Sequence, residues 1–464
     1  MGELRPYPEY KQTDLPWLES VPIHWSLIRN KLLFKPGKEL VGEKSSEFTL
    51  LSLTLNGIIK RDMINPKGKF PAEFNSYQVV KENDFVFCLF DIDETPRTIG
   101  VSPYYGMITG AYSVFKPLVQ NVKYLYYYYL SLDYAKGLKP VYTGLRKVIP
   151  EDRFLRIKTP FPPPNEQLQI ARFLDWKTSQ INKFIKAKKR QIELLKEQKQ
   201  VIINDAVTGK IDVLTGKPYP KYKDSGVEWL GKVPKDWTII RLKYIVRNIN
   251  EQTNLKENDE FYIALENVES WTGRINIHSE EVAFESQVKR FKSGDILFGK
   301  LRPYLAKVVK STFKGVCVGE FLVLRKFAPD VSIDFLAFKL RSYSVIHHIN
   351  KSTFGAKMPR ADWGFIGNML FSTPVTYETQ EAIAQYLNTR IISINKCIDK
   401  IEKEVILLRE FQVRIICDIV TGKFDVRDIE IPQYVEEVEE SNIDEDLVDK
   451  IDEVMMSEKE CEDS

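Results

Sequence analysis

A stretch of 23 residues near the start of the chain decides the fold, because it occurs twice. Tyr7–Arg29 begins YPEYK and returns 212 residues later as Tyr219–Arg241, which begins YPKYK. Of these 23 positions, 11 are identical at the constant offset, including two tryptophans. Chance does not produce such a match, so the chain is an internal duplication.

Each half also closes on a shared segment. Thr208–Val213 (TGKIDV) returns as Thr421–Val426 (TGKFDV). Between the opening and closing segments the halves have diverged, apart from a faint match of Asp84–Phe87 with Asp295–Phe298. We infer that the ends of each half perform a common structural task and that the two centres perform different tasks.

The segment before each closing motif predicts a long helix. Pro162–Pro164 cannot lie inside a helix, and Asn165 after them is a good N-cap. No proline or glycine occurs from Glu166 to Val207, and Gly209 then offers a stop. The second copy of this helix is expected from about Gln380 to Val420.

A stripe with alternating spacings of four and three residues runs along both helices. In the second helix it has one polar member, and it consists of Leu387, Ile391, Ile394, Ile398, Ile401, Val405, Leu408, Gln412, Ile415 and Ile419. In the first helix it has three polar members, and it consists of Leu174, Thr178, Ile181, Ile185, Lys188, Ile192, Leu195, Lys199, Ile202 and Ala206. We expect an antiparallel coiled coil of the two helices, the alternative being that each helix packs on its own domain.

The repeat further predicts a closed path. The segment after the first helix, Lys217–Pro220, resembles the start of the chain at Arg5–Pro8. The N-terminus therefore looks like the continuation of the second helix, and residues near Leu4 and Val426 should lie close together.

Composition and charge place the chain among globular proteins. Hydrophobic residues make up 43% and charged residues 28%, and no apolar run is long enough for a membrane span or a signal segment. Five scattered cysteines without a CxxC pair suit a reducing cytoplasm, where we expect the protein, and no Cys/His cluster suggests zinc. The net charge is −12 after residue 433 and +15 before it, which favours a polyanion-binding body with an acidic tail.

Two loops in the centres could contact nucleic acid. Asp91–Gly100 and Gly299–Lys307 each follow an apolar strand and hold an arginine beside a proline. A guanidinium can bind guanine O6 and N7 together, whereas nearby lysines would neutralise phosphates. An ordinary charged hairpin is the alternative.

Two other segments have a similar ambiguity. Tyr142–Lys147 and Thr353–Arg360 each contain a glycine followed by cations, which suits a phosphate contact or a simple basic turn. Tyr124–Tyr129 contains five tyrosines, which could stack on bases, although a helix packed against a sheet is the favoured interpretation.

The motifs of several enzyme classes are missing from the sequence. No GxxxxGK[ST] loop, no GxGxxG at a helix start and no Asn/Asp-Pro-Pro-Tyr tetrapeptide of an amino-methyltransferase occurs. His347 and His348 would diverge on a helix and are poorly placed to share a metal. We therefore expect a non-catalytic chain.

Together these features make the chain similar to the specificity subunit of type I restriction-modification systems, over about 425 residues. The resemblance rests on the repeated opening segments, the run Gly294–Phe298 followed by Arg302–Tyr304, the helix start at Pro163–Gln167 and the Thr-Gly-Lys closing segments. The second helix start, Tyr377–Gln380, departs from the pattern because it lacks the prolines.

The resemblance implies an α/β (α+β) fold with two globular DNA-recognition domains, separated by two long antiparallel coiled-coil helices in a pseudo-two-fold internal repeat. The expected divisions are a first target-recognition domain at 1–161, a spacer helix at 162–213, a second recognition domain at 214–376, a second spacer helix at 377–427 and an acidic, disordered tail at 428–464.

The resemblance also implies a function. Each recognition domain would read one half of a split, asymmetric site in double-stranded DNA. The helices would dock two methyltransferase (modification) subunits, and restriction/translocase subunits would complete the complex. S-adenosylmethionine, ATP and Mg would bind those partners, which would methylate adenine and cleave DNA, and no cofactor would bind this chain. The alternative is an assembly scaffold that binds only proteins.

Specific residues are expected to carry these contacts. Those expected to bind DNA are Arg97, Thr98, Arg146 and Lys147 in the first centre and Lys300, Arg302, Tyr304, Lys357 and Arg360 in the second. Those expected to form the coiled coil and to dock the partner are Ile181, Ile185, Ile192, Leu195, Ile394, Ile398, Ile401 and Leu408.

Overall fold

The computed structural model describes residues 4–61, 74–143, 147–277, 287–355 and 358–434. The chain divides into two compact units. Unit 1 combines Met1–Lys188 with Glu402–Ser464, and unit 2 is Lys189–Ile401. Both divisions fall inside the long helices, whereas the domain limits expected from the sequence lie at helix ends, and those limits stay a prediction.

Short strands make up the sheets of both units. Those of unit 1 are β1 (Tyr10–Leu15), β2 (Leu18–Pro22), β3 (Ser26–Arg29), β4 (Phe34–Pro36), β5 (Leu51–Thr54), β6 (Gly57–Lys60), β7 (Gln78–Val80), β8 (Phe85–Phe87), β9 (Ile99–Val101), β10 (Gly106–Ile108), β11 (Ser113–Pro117) and β12 (Lys158–Phe161). Those of unit 2 are β13 (Tyr222–Asp224), β14 (Lys232–Pro234), β15 (Trp237–Arg241), β16 (Val246–Ile249), β17 (Gln252–Thr253), β18 (Phe261–Ile263), β19 (Val288–Phe291), β20 (Ile296–Gly299), β21 (Val308–Lys310), β22 (Gly315–Val318), β23 (Phe321–Lys326) and β24 (Leu370–Pro374).

The α-helices, in chain order, are α1 (Val122–Tyr134), α2 (Glu151–Arg156), α3 (Pro164–Thr208), α4 (Ile333–Leu340), α5 (Tyr343–Lys351), α6 (Trp363–Asn368) and α7 (Tyr377–Val420). The helices α3 and α7 are the long helices expected from the sequence. Each begins in one unit and ends in the other. Their expected starts were wrong: α3 begins at Pro164, so Asn165 lies inside its first turn, and α7 begins at Tyr377 and not at Gln380. Proline fits the first turn of a helix because the N–H there needs no partner in the helix.

The divergent centres share one scaffold. In unit 1 an antiparallel sheet has the strand order β4-β11-β8-β9, and in unit 2 the order β16-β23-β20-β21 repeats it. The strands β8 and β20, which carry the faint sequence match, are buried throughout. Fully apolar strands of this kind must be covered on both faces, so they fix the centre of each unit.

The tyrosine run lies on α1 and packs into the core. Tyr124, Tyr128 and Tyr129 are almost fully buried. The Tyr124 hydroxyl donates to the Pro160 carbonyl at 2.9 Å, and the Tyr129 hydroxyl donates to Asn30 at 2.7 Å. The preference for a packed helix is thus confirmed, since rings with these partners are not available to bases.

In each unit, the parts of α3 and α7 that belong to it pack antiparallel. Every position of the predicted stripe is buried or half-buried. In unit 1, Ile181 and Ile185 pack against Val405 and Leu408. Polar members of the stripe meet polar partners: Lys188 donates to Glu404 at 2.6 Å in unit 1, and Lys199 donates to Asn395 at 3.2 Å in unit 2. The predicted antiparallel coiled coil is confirmed.

The predicted closed path is also present. The Asp425 N–H donates to the Arg5 carbonyl at 2.7 Å in an antiparallel bridge. Gly422 ends α7 with a φ of 78°, and a Cβ at this position would overlap Pro22. Gly209 makes the same close approach to Pro234 in unit 2. The closing segments therefore recur because each one packs on the opening segment of its unit.

Candidate nucleic-acid interface

In unit 2, the loop after β20 lies against the turn that precedes α6. The Ala361 N–H donates to the Lys300 carbonyl at 2.8 Å, and the Arg302 N–H donates to the Pro359 carbonyl at 2.8 Å. Arg302 adopts a left-handed conformation, with φ 49° and ψ 61°. Two basic segments that are far apart in the sequence thus meet at one edge of the sheet.

The cations at this edge differ in their partners. The Arg360 guanidinium pairs with the Glu320 carboxylate at 3.1 Å. Arg302 is exposed and Lys300 half-buried, and within the described residues neither side chain has a hydrogen bond or ion pair. Tyr304 is also exposed. Lys300 and Arg302 therefore leave two uncompensated positive charges next to an exposed ring.

Unit 1 repeats the backbone of this loop. The Ile149 N–H donates to the Leu89 carbonyl at 2.7 Å, and the Asp91 N–H donates to the Lys147 carbonyl at 3.1 Å. Asp91, with φ 43°, adopts a left-handed conformation. These are the contacts of Ala361 and Arg302 in unit 2, so Asp91 occupies the position of Arg302.

The charges of the unit 1 loop have the opposite sign. Lys147 Nζ lies 3.1 Å from an Asp93 carboxylate oxygen and 2.7 Å from a Glu94 oxygen. The hydrogen bonds that Lys147 donates to Glu94 and Asp93 raise the pKa of Lys147. The Tyr142 hydroxyl also donates to Asp93, at 2.9 Å. Lys147 is therefore held by the loop itself.

Arg97 and Thr98, expected from the sequence to contact DNA, face into unit 1. The Arg97 side chain is 11% exposed and lies 3.0 Å from the Asp133 carboxylate. The Thr98 hydroxyl donates to the same carboxylate at 2.6 Å. The loop of unit 1 is two residues longer than that of unit 2, since Cys88 pairs with Thr98 where Gly299 pairs with Lys307. These contacts give both residues a structural role.

Two expected residues remain, and one further residue of these loops was not expected. Arg146 and Lys357 lie outside the described residues. Asp91, by contrast, was missed as a candidate because the sequence drew attention to the arginine of its loop. The signal was present: aligning Asp84 with Asp295 at the faint match places Asp91 opposite Arg302.

Two further observations concern the described residues. Among them, no three histidine, cysteine, aspartate or glutamate side chains cluster where they could share a metal ion. Helices of the length and apolar character required to cross a bilayer are also missing from this part of the chain.

Comparison with known families identifies the kind of domain present. A family model described as "Type I restriction modification DNA specificity domain" matches residues 105–194. Over these residues the chain is similar to type I restriction modification DNA specificity domains. The matched range runs from β10 through α1 and α2 into the first part of α3.

Two curated proteins extend the similarity to type I specificity subunits. The type I restriction enzyme EcoDI specificity subunit of Escherichia coli is 28% identical over 178 residues, which cover 35% of this chain and 40% of that protein. The type I restriction enzyme MjaVIII specificity subunit of Methanocaldococcus jannaschii is 27% identical over 297 residues, which cover 60% of this chain and 64% of that protein. The chain thus spans less than two thirds of either relative. The resemblance inferred from the repeated motifs is confirmed.

A solved structure supports the fold. A chain described under "Structural basis underlying complex assembly and conformational transition of the type I R-M system" matches 87% of this chain and 99% of its own length. The TM-score is 0.61 at 13% identity. At this identity the likeness concerns the fold alone, and it supports the expected mixed helix and sheet fold with long coiled-coil helices.

Proposed function

We propose that this chain is the DNA-reading subunit of a type I restriction-modification complex, and that each unit contacts one half of a split site. The observation that carries the proposal is the repeated scaffold. The same backbone bridge to a distant turn occurs once in each unit, with Asp91 in one and Arg302 in the other. Two related scaffolds with unlike side chains suit an asymmetric pair of half-sites.

Arg302 has the properties of a base-reading residue. Its guanidinium is exposed and without a partner in the described residues, so it is free to bind O6 and N7 of a guanine. Lys300 two residues earlier would contact a phosphate, and the Arg360–Glu320 pair would hold the adjacent turn in place. Tyr304, Arg146 and Lys357 remain proposed contacts to the DNA backbone, and Lys147 would reach a phosphate only by leaving Asp93 and Glu94.

We propose that the coiled-coil residues hold α3 and α7 together and that other residues of these helices contact the partner. All the residues expected in the coiled coil are buried or half-buried. They are Ile181, Ile185, Ile192, Leu195, Ile394, Ile398, Ile401 and Leu408. Side chains that are buried between two helices cannot also form the main surface that a partner contacts. The helices do expose large apolar residues elsewhere, and these are Phe184, Leu194, Val201, Ile392, Leu407 and Phe411. We propose that these exposed residues dock two methyltransferase subunits, since water disfavours such surfaces.

The chemistry would then belong to other chains. The proposed methyltransferase subunits would carry S-adenosylmethionine and methylate adenine at N6, and the restriction/translocase subunits would use ATP and Mg. This chain would supply recognition without catalysis. No catalytic domain is indicated by the family comparisons.

Methylation mapping tests the proposal directly. The full chain is co-expressed with the methyltransferase encoded beside it, and genomic N6-methyladenine is mapped by single-molecule sequencing with and without this chain. A split motif methylated on both strands, and lost when the chain is removed, is the expected result. Unchanged methylation by an active methyltransferase would contradict the proposal and favour a scaffold that binds only proteins.

A further inference from the structure

Asp91 holds a backbone conformation that its loop could obtain more easily from glycine. Its φ of 43° lies in the left-handed region, where a side chain costs about 1–2 kcal/mol. Arg302 adopts the same conformation at the equivalent position of unit 2. Both positions therefore place a non-glycine side chain in the left-handed region of the same backbone bridge.

The fold uses only the backbone of Asp91. Its N–H donates to the Lys147 carbonyl, and its carbonyl accepts from the Thr95 N–H at 2.9 Å and from the Thr95 hydroxyl at 2.8 Å. Within the described residues, the Asp91 carboxylate has no hydrogen bond or ion pair. The Asp93 and Glu94 carboxylates of the same loop are both bound to Lys147. Lys147 pairs with both carboxylates and Lys139 Nζ lies 3.9 Å from Asp93, so these two lysines compensate the two negative charges and leave that of Asp91 available.

A free carboxylate at this position has a narrow choice of partners on DNA. It can only accept hydrogen bonds, and phosphates repel it. The base atoms that donate in the major groove are cytosine N4 and adenine N6. Adenine presents the acceptor N7 beside N6, so a carboxylate is better matched to cytosine.

We propose that Asp91 is the specificity-determining residue of unit 1 and that it accepts a hydrogen bond from the exocyclic amino group of a cytosine. This inference rests on the proposed function. Unit 1 and unit 2 then read opposite members of a base pair from one backbone position, a cytosine through Asp91 and a guanine through Arg302.

Selection from a randomised duplex library tests the inference. The complete complex, purified by co-expression with the methyltransferase, is used with wild-type chain, Asp91→Asn and Asp91→Arg. Wild type should enrich cytosine at one position of one half-site. The amide of Asp91→Asn can bind adenine N6 and N7 together, and the Asp91→Arg guanidinium suits guanine, so enrichment should move to adenine and to guanine by about tenfold. The other half-site should not change.

Two further variants separate base reading from loop structure and from net charge. Asp91→Gly keeps the left-handed turn without strain, and it should abolish the preference at that one position while the rest of the motif remains. Asp152→Asn removes an equivalent negative charge on α2, where the carboxylate is 68% exposed and pairs with Arg156. This control should leave the motif unchanged.

Each outcome bears on a different claim. A wild-type complex without any sequence preference would overturn the proposed function. A wild-type motif that persists in Asp91→Asn and Asp91→Arg would overturn only the role of Asp91, as would uniform weakening on every sequence. Adenine at the altered position in wild type would support Asp91 as a base reader and overturn the choice of cytosine.

Discussion

The loops after β8 and β20 begin with the same backbone bridge to a distant turn and carry opposite charge. Both place a left-handed residue two positions after a carbonyl that accepts from the distant turn. That residue is Asp91 in unit 1 and Arg302 in unit 2. The hydrogen bonds that join each loop to its distant turn at this point connect main-chain atoms; every residue supplies the carbonyl and every residue but proline the N–H. The comparison teaches that this scaffold leaves the side chains free to diverge.

The cores show a second difference at matched positions. The Ser131 hydroxyl donates to the Tyr128 carbonyl, and the Ser342 hydroxyl donates to the Lys339 carbonyl, both at 2.7 Å. Tyr128 accepts from Trp17, whereas Lys339 Nζ donates to the Val207 carbonyl at 2.6 Å and to the Ser372 carbonyl at 2.8 Å. Burial lowers the pKa of Lys339 to about 7, although these acceptors favour its charged form.

The largest expected effect concerns the seam between α3 and α7 in unit 1. Val405→Asp should lower the free energy of unfolding by roughly 4 kcal/mol, because it buries an unpaired charge beside Ile181 and Ile185. Leu407→Asp, at a side chain that is 62% exposed, is the matched control and should change it by less than about 0.5 kcal/mol. Urea unfolding measures both, and equal losses would contradict the assignment of the seam.

Lys339→Met tests the difference between the two cores through the pH dependence of stability. Because the folded pKa lies near 7 and the unfolded one near 10.5, the unfolded state binds more protons between these values. The free energy of unfolding of wild type should therefore increase by on the order of a few kcal/mol as the pH is raised from 7 to 10.5. Lowering the pH back to 7 should remove this increase. Lys339→Met should lose this rise.

Urea unfolding of wild type and Lys339→Met at several pH values between 7 and 10 measures the difference. Subtracting the two curves removes the titrations that they share. Lys351→Met, at an exposed lysine of α5, is the control and should keep the wild-type slope. A difference between wild type and Lys339→Met that does not vary with pH would contradict the prediction.

Arg302→Ala tests whether the unit 2 loop contacts DNA through its arginine. It should weaken binding by about 1–3 kcal/mol and relax specificity at one base pair, because a bidentate contact is lost. Titrations with the wild-type site and with single-base variants measure this. Arg241→Ala, at an exposed arginine of β15, should leave the specificity unchanged. Equal weakening by Arg302→Ala on all DNA sequences would indicate a phosphate contact.

The smallest effect separates the turn from its side chain. Arg302→Gly and Asp91→Gly should leave thermal stability unchanged or raise it by up to about 1 kcal/mol, because glycine adopts the left-handed conformation without strain. The gain should be larger for Arg302, since aspartate tolerates this region better than arginine. Melting curves provide the measurement, and a lower midpoint in either variant would show that the side chain supports the loop.

Much of the scaffold could be predicted because its signals are periodic or repeated. The stripe from Leu387 to Ile419 predicted a seam, since helical geometry alone places those side chains on one face. The match between Arg5–Pro8 and Lys217–Pro220 predicted the closed path, which the Arg5–Asp425 bridge confirms. Signals of this kind depend on spacing and identity, which are complete in the sequence.

The interface was less predictable because the sequence shows which residues are charged but not where their side chains point. Arg97 and Arg302 looked alike, each beside a proline in a loop after an apolar strand. Arg97 is turned toward Asp133, a residue of α1 that is far away in the sequence. Only the fold brings that carboxylate to the loop, and a buried ion pair then decides where the guanidinium lies.

The repeat, the long helices and the heptad stripe follow from residue pattern, because local geometry converts spacing into a shared face. The pairing of Arg302 with Pro359, and of Asp91 with Lys147, arises only when strands and turns meet in three dimensions. Those contacts join main-chain atoms, so no side chain announces them. The tertiary structure alone therefore decides which charge is used by the protein and which remains available to a partner.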